Sequence, residues 1–312
     1  MKRNDVRKLT VRSRWLFLVA GLVVLYVVVP RLGGLKQSIG SLVNAKPMWL
    51  AVALLATFVT YVAATWMYLL LAQHRLRGTT TFVVQLAGNF TNKLLPAGIG
   101  TAGINYEYLR RQRHSRSGAA AVVTTNNTLG FVGNFVLILG LVTFTPARLS
   151  DLHWPAIGSR AWLAAGLVVL LSMVIALIVL RGKLREAVVA FGASFWRYRQ
   201  QPQRLVLALM VSMLLTTANA AVLYAAAHGI GLHVGMTAAL IIMTIGVAGA
   251  TVTPTPGGLG GAEAGLVAGF MLYGASSSTA LAAALIFRLF TFWLPLLWGG
   301  SAFILGRSRN YY

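Results

Sequence analysis

Residues 254 to 263 read PTPGGLGGAE, two prolines and four glycines ending on an acid, inside a run that is otherwise almost without charge. Between Leu205 and Gly306 the formal charges are Glu263 and Arg288. A charge at a bilayer centre costs roughly 2.5 to 3.5 kcal/mol on insertion scales, so an acid and a base in such a run need a partner or a function. Proline and glycine interrupt helical hydrogen bonding, and irregular backbone is tolerated at membrane depth where protein or water covers it. The stretch therefore reads as the tip of a broken segment that lines a cavity.

The composition around it sets the class. With 57 % hydrophobic and 10 % charged residues in 312, and a mean hydropathy of +0.74, the chain is an integral membrane protein. Its uncharged runs are long enough to cross about 30 Å of hydrocarbon and are continuous rather than alternating, so they are all-α spans and not barrel strands. The net charge of +22 sits in short loops between the runs, where the positive-inside rule accounts for it and no nucleic-acid partner is needed. The absence of cysteine excludes a disulfide framework, a thiol nucleophile and a cysteine metal site. The histidines at 74, 114, 153, 228 and 233 lie at span ends or in loops without ligand spacing, so no metal is expected. No nucleophile with its base and no Walker sequence is present; neither an enzyme nor a cofactor is expected, and ATP-driven work would need a partner.

Taken in order, the basic tail at 1–14 stays cytoplasmic and an uncleaved first span runs from Trp15 to Val29. The second span, Pro47 to Ala72, returns to Arg75 and Arg77. The next apolar segment, from Thr81, is broken by LPAGIGTAG at 95–103 and has basic clusters on both sides, so it predicts a re-entrant hairpin on the cytoplasmic face. Spans follow at 117–144 and 161–180, then a basic cytoplasmic loop whose middle, 191–198, suits a short interfacial helix. A fifth span covers 205–227, a second hairpin entered from outside follows, and a sixth span covers 279–306. Under this topology 20 of the 27 lysines and arginines lie inside, five outside, and Lys93 and Arg288 within membrane segments. The expected fold is a polytopic helical bundle of about six full spans and two re-entrant hairpins. It forms one domain over 1–312, multi-pass in a bacterial inner membrane with both termini cytoplasmic.

At an offset of 160, Pro96, Gly98, Gly100 and Ala102 match Pro256, Gly258, Gly260 and Ala262. Each copy lies in the same order of parts: a span, a broken hairpin, a short loop and a span opening on alanines. The units, 47–145 and 205–306, start on opposite sides, the pattern of an inverted-repeat transporter with its site near the midplane.

Gly98, Gly100 and Gly103 spell G-x-G-x-x-G, but no strand precedes them and no ribose-binding acid follows, so no dinucleotide site is assigned. A glycine turn opening a helix presents free N–H groups and a positive dipole end, and both tips are candidates either to hold an anionic headgroup or to serve as plain helix breaks. Gly257, Gly261, Gly265 and Gly269 recur every fourth residue, which makes either a packing face or a groove for a lipid chain. Glu263 and Arg288 read either as a structural ion pair or as a site where Arg288 grips a lipid phosphate through its fork while Glu263 orients it or titrates. Lys93 is the counterpart cation in the first unit. Asn89, Asn92, Asn126, Asn127 and Asn134 supply polar lining, and Glu107 and Arg110 belong at the rim.

The P-x-P-G-G-x-G-x-x-E block at 254–263, the alanine-rich opening of the last span and Arg288 within IFRLFTFW resemble the lysylphosphatidylglycerol synthase transmembrane-region family, also called flippase-like membrane proteins. The resemblance covers roughly 15–306. It implies a region that moves a lipid between leaflets, here as a stand-alone member without the synthase domain, and it carries over Pro256, Gly257, Gly258, Gly260, Glu263 and Arg288. A first-half P-x-x-x-G-E-x-x-R run seen in the broader family is not kept, since Thr101 follows Gly100 and Ile104 stands where the arginine would.

The expected function is a lipid transporter for an anionic phospholipid or lipid-linked headgroup. The substrate-binding candidates are Pro256, Gly257, Gly258, Gly260, Glu263, Arg288, Lys93, Gly98, Gly100 and Asn127. The expected partners are the phospholipid headgroup and membrane lipids, with a homo-oligomer or a lipid-synthesising enzyme compatible with the reading. Two alternatives stand beside it: a secondary transporter of a small anion with Glu263 as proton carrier, and a lipid-binding or scaffolding module.

Overall fold

Proline placed where a helix can begin, and long apolar runs without breaks, define the scaffold. The computed structural model describes residues 44–95, 99–144, 201–253 and 255–312, and the regular structure among them is helical. The helices are α1 (Pro47–Leu71), α2 (Gly78–Leu94), α3 (Ile99–Arg111), α4 (Arg116–Phe144), α5 (Pro202–Gly229), α6 (Met236–Val252), α7 (Gly261–Leu272), α8 (Ser277–Arg288) and α9 (Leu294–Ser308). A π-helical turn, Leu289–Trp293, joins α8 to α9. Pro47 and Pro202 occupy first turns, where a missing N–H costs nothing.

Four helical stretches among the described residues are long and apolar enough to cross a membrane: Pro47–Leu71, Arg116–Gly140, Pro202–Gly229 and Ser277–Ser308. They coincide with the spans expected at 47–72, 117–144, 205–227 and 279–306. The spans expected at 15–29 and 161–180, and the interfacial segment at 191–198, lie outside the described residues.

Contacts at the helix ends place the two poles of the bundle. Gln73 donates its N–H to His114 Nε2 at 3.1 Å, and Arg111 Nη1 reaches Asn310 O at 3.1 Å, so the ends of α1, α3 and α9 share one pole. Leu71, Leu109, Ala119 and Ala208 pack in one buried cluster there, which adds the starts of α4 and α5. At the opposite pole Lys46 N–H bonds Gly229 O at 2.9 Å, and Ala45, Ala226, Val234, Ala238 and Ala280 share a second cluster. Alanine is prominent in both clusters because small side chains let helix backbones approach where no hydrophobic force drives them together.

Between the poles lie two helical hairpins with bases at opposite ends. The first, α2–α3, is held by polar contacts: Gln85 Nε2 donates to Asn105 Oδ1 at 2.7 Å, Thr81 and Tyr108 hydroxyls meet at 2.9 Å, and Thr101 Oγ1 donates to Gly88 O at 2.8 Å. The second, α6–α7, is closed by glycine. A side chain at Gly265 would meet Ile245 O and the Cα of Gly246, and one at Gly269 would meet Ile242, so the stripe on α7 is a packing face. Gly257 departs from that stripe, because the helix does not extend back to it.

His114 clasps the polar end of the first hairpin to α1. It is buried, its Nε2 accepts from Gln73, and its Nδ1 lies 3.1 Å from Leu109 O, so the neutral ring fits. Burial, with His74 beside it, pushes its pKa below the ordinary imidazole value. The folded protein thus binds this proton less readily than the unfolded chain. The contribution is complete above about pH 6.5 and is lost as the pH falls. The unfolding midpoint in detergent is expected to drop between about pH 7.5 and 5.5. His114→Leu, which removes the hydrogen bonds to Gln73 and Leu109 at a cost of about 0.5–1.5 kcal/mol each, lowers the midpoint at neutral pH and flattens that dependence.

Candidate functional site

The site is built on the broken tip of the second hairpin. α6 ends at Val252, and a 3-10 turn follows at Pro256–Gly258. Gly257, Gly258 and Gly260 have φ of 61°, 65° and 87°, in the left-handed region that side chains disfavour. Gly257 must be bare for a second reason, since a Cβ there would run into the Phe292 ring. Thr255 braces the turn, its Oγ1 donating to Leu259 O at 2.8 Å.

Glu263 sits in the first turn of α7 and closes two contacts at once. Its Oε2 accepts the Gly260 N–H at 2.7 Å, and its Oε1 accepts Arg288 Nε at 2.6 Å. The positive end of α7 is thus already met by the protein's own carboxylate, the third-position half of a capping box. An anion at that helix end would have to displace Glu263, so among the alternatives for this tip the geometry favours a capped break.

Arg288 comes from the last turn of α8 and is 8 % exposed. Besides Glu263 it donates through one terminal nitrogen to Gly257 O at 3.0 Å. One guanidinium therefore ties the carboxylate and the turn backbone together, while its other terminal nitrogen, Nη1, has no partner among the described residues. Its carbon lies 4.4 Å from the centre of the Phe292 ring, a cation–π distance.

Lys93 arrives from the tip of the first hairpin. Its Nζ lies 5.3 Å from the centre of the same ring and donates to Thr291 O at 2.6 Å. Thr291 lies in the π-helical turn Leu289–Trp293, where the i→i+4 ladder of the flanking helices is interrupted. The two hairpins, based at opposite poles, thus meet around Phe292 with two cations and one acid. Pro256, Gly257, Gly258, Gly260, Glu263, Arg288 and Lys93 are brought together.

Three sequence candidates fall elsewhere. Gly98 lies outside the described residues. Gly100 packs on the backbone of Thr91 and Asn92, which makes it a close-approach position inside the first hairpin. Asn127 is exposed and its Oδ1 accepts from Asn126 Nδ2 at 3.4 Å, with no recorded contact to the charged cluster. Glu107 and Arg111 pair at the exposed rim, 3.3 Å apart. Sequence reasoning missed Phe292 and Thr291. Pro295 within the last span marked a local break in the helix near Thr291, and nothing local marked the ring.

A cavity of about 450 Å³ opens beside Arg288, lined by α4, α5, α6, α7 and α8. Asn134 reaches it from α4, and Thr216 and Asn219 reach it from α5, all near the middle of helices 29 and 28 residues long.

A helical integral membrane protein with two opposed hairpins and a buried charge cluster where they meet is the class that these elements define. The chain belongs to the family described as lysylphosphatidylglycerol synthase TM region, whose profile matches residues 14–299. No curated protein matches the chain.

Removing one member of a buried pair strands the other at a cost of about 3–5 kcal/mol. Glu263→Gln is expected to lower the unfolding midpoint clearly. Glu263→Leu combined with Arg288→Met should be less destabilising than the sum of the two single changes, and additivity in that double-mutant cycle would count against a coupled pair.

Proposed function

We propose that this protein is a flippase- or scramblase-like transporter, not an enzyme, which moves an anionic phospholipid or lipid-linked headgroup between the leaflets of a bacterial inner membrane. The two hairpins are re-entrant in this reading, the chain has six full spans and both termini face the cytoplasm. The observation that carries it is the unbalanced cluster: Arg288 and Lys93 share one ring while a single acid, Glu263, faces them. A site with two basic side chains and one acid midway along the helices suits an anion, and a guanidinium whose Nη1 has no protein partner can donate to a phosphate. The order of parts supports an inverted repeat, since each hairpin lies between a long helix before it and a long helix after it and the bases oppose. Arginines 75, 77, 110, 111, 113, 116, 204, 307 and 309 belong to the pole shared by the ends of α1, α3 and α9, which supports assigning that pole to the cytoplasm. The acyl chains stay in lipid while the headgroup crosses.

The proton-carrier alternative has less support, because both carboxylate oxygens of Glu263 are engaged. Purified protein in vesicles should speed the exposure of a chain-labelled anionic lipid to a membrane-impermeant quencher. Lys93→Gln, which leaves the Arg288–Glu263 contact in place, is expected to slow it about 10-fold or more, the loss of about 1.4 kcal/mol or more. Equal rates with and without protein would sink the proposal.

A further inference from the structure

Lys93 lacks what the other two charges at the meeting point have. Glu263 gives one oxygen to Arg288 and the other to the Gly260 N–H, and Arg288 serves both Glu263 and Gly257. Lys93 has the Thr291 carbonyl and the face of Phe292, but no carboxylate. The ion pairs among the described residues are Arg288–Glu263 and Arg111–Glu107, and the second lies at the exposed rim.

The charged groups around Lys93 follow element by element. α8 brings Arg288 across the shared ring, and α7 brings Glu263 behind it. The turn at Pro256–Gly258 and the π-helical turn carry no ionisable side chain. On α2 Lys93 is the ionisable residue, while Glu107, Arg110 and Arg111 of α3 and Arg307 of α9 lie towards the pole.

As an ammonium, Lys93 sets two positive charges against one negative, and an uncompensated charge is expensive at this depth. Of the three groups, Lys93 alone can relieve the imbalance. A guanidinium keeps its proton, and protonating Glu263 would deepen the excess. A neutral amine still has N–H to donate to Thr291 O. With the amine, the empty cluster carries no net charge. With the ammonium and a bound monoanionic phosphate ester, it again carries none. The cavity beside Arg288, with Asn134, Thr216 and Asn219 in its wall, gives the cluster a polar approach.

We propose, resting on the lipid-moving reading of this cluster, that Lys93 takes up a proton with each anion and gives it up when the anion leaves, so that the two cross together. The proton comes from water on the loading side, occupies the lone pair of Nζ and passes to water on the other side; no bond of the anion breaks. Loaded and empty forms are both neutral, so the cycle follows a pH gradient and does not respond to a membrane potential.

The full chain is placed in phosphatidylcholine vesicles holding a trace of chain-labelled phosphatidylglycerol. With the lumen more alkaline by one pH unit, the label is expected to gather in the inner leaflet towards a limit of about tenfold, whichever way the protein is inserted. An imposed potential leaves the distribution even. Lys93→Arg, whose charge cannot be shed, loses the pH-driven asymmetry and acquires a potential-driven one. The steady-state ratio is read, so a slow variant still answers. In weakly buffered detergent at mildly alkaline pH, adding the lipid takes up as much as about one proton per wild-type protein, and none with Lys93→Arg. An even distribution under the pH gradient while lipid moves, or no proton uptake by the wild type, overturns the coupling and leaves lipid movement standing. Coupling that survives Lys93→Arg overturns the assignment to Lys93. Lipid movement under no condition overturns the lipid-moving reading, and pH-driven accumulation of radiolabelled glycerophosphoglycerol in its place keeps the coupling and overturns the lipid source.

Discussion

A single contact, Arg288 Nε to Glu263 Oε1 at 2.6 Å, answers two problems that a membrane interior sets separately. Glycine and proline free backbone groups that hydrocarbon cannot satisfy, and ionised side chains are expensive there. Here the two costs offset each other. Arg288 takes Gly257 O and Glu263 takes the Gly260 N–H, so the charges supply the partners that the broken backbone lacks, and the break supplies the polar surroundings that the charges need. Remove the glycines and the turn cannot adopt its left-handed angles; remove the charges and the turn is left with bare polar groups. The break and the ion pair are one structural feature.

The hairpins that carry this feature are closed by different means. The first uses side-chain hydrogen bonds from Gln85, Thr81 and Thr101. The second uses missing side chains, with Gly265 and Gly269 laid against the backbone or side chains of α6. Without a hydrophobic force between helices in lipid, close backbone contact and interhelical hydrogen bonds are the two ways left to hold a pair together. Each hairpin relies mainly on one of them. The division is not complete, since Gly100 also brings α3 against the backbone of Thr91 and Asn92 at the tip of the first hairpin.

Much of the architecture is legible from patterning. Uninterrupted apolar length marks the four long helical stretches, because length and hydropathy are properties of one segment. The breaks at 95–103 and 254–263 are legible for the same reason, since proline and glycine act locally. Glu263 and Arg288 stand out because charge is rare in such a run. What pairs with what is less legible. Gly257 shares the four-residue spacing of Gly261 and Gly265, yet the left-handed turn at Gly257–Gly260 removes it from the helix and sets it against Phe292. Asn127 is as polar as Asn134 and on the same helix, but seven residues is nearly two turns. Of the two, Asn134 meets α5 and α6 across the cavity while Asn127 is exposed. Polarity names a candidate, and the neighbouring helix decides whether it has a site.

The two cations at the meeting point are not equivalent, and side-chain chemistry explains the division. Arg288 has a planar fork with donors in fixed directions, so it can serve Glu263 and Gly257 together and still present an open edge. Lys93 is a point charge on a flexible stem, holding one carbonyl in the π-helical turn. A fixed fork suits the part of the site that maintains its shape. A tethered ammonium resting on one carbonyl has one contact to exchange if an anion comes within reach, and exchanging it leaves the Arg288–Glu263 contact unbroken. The arrangement therefore gives one cation, Arg288, the task of holding the tip together while Nη1 stays open, and the other, Lys93, a single contact that can be exchanged, with the same aromatic ring under both charges.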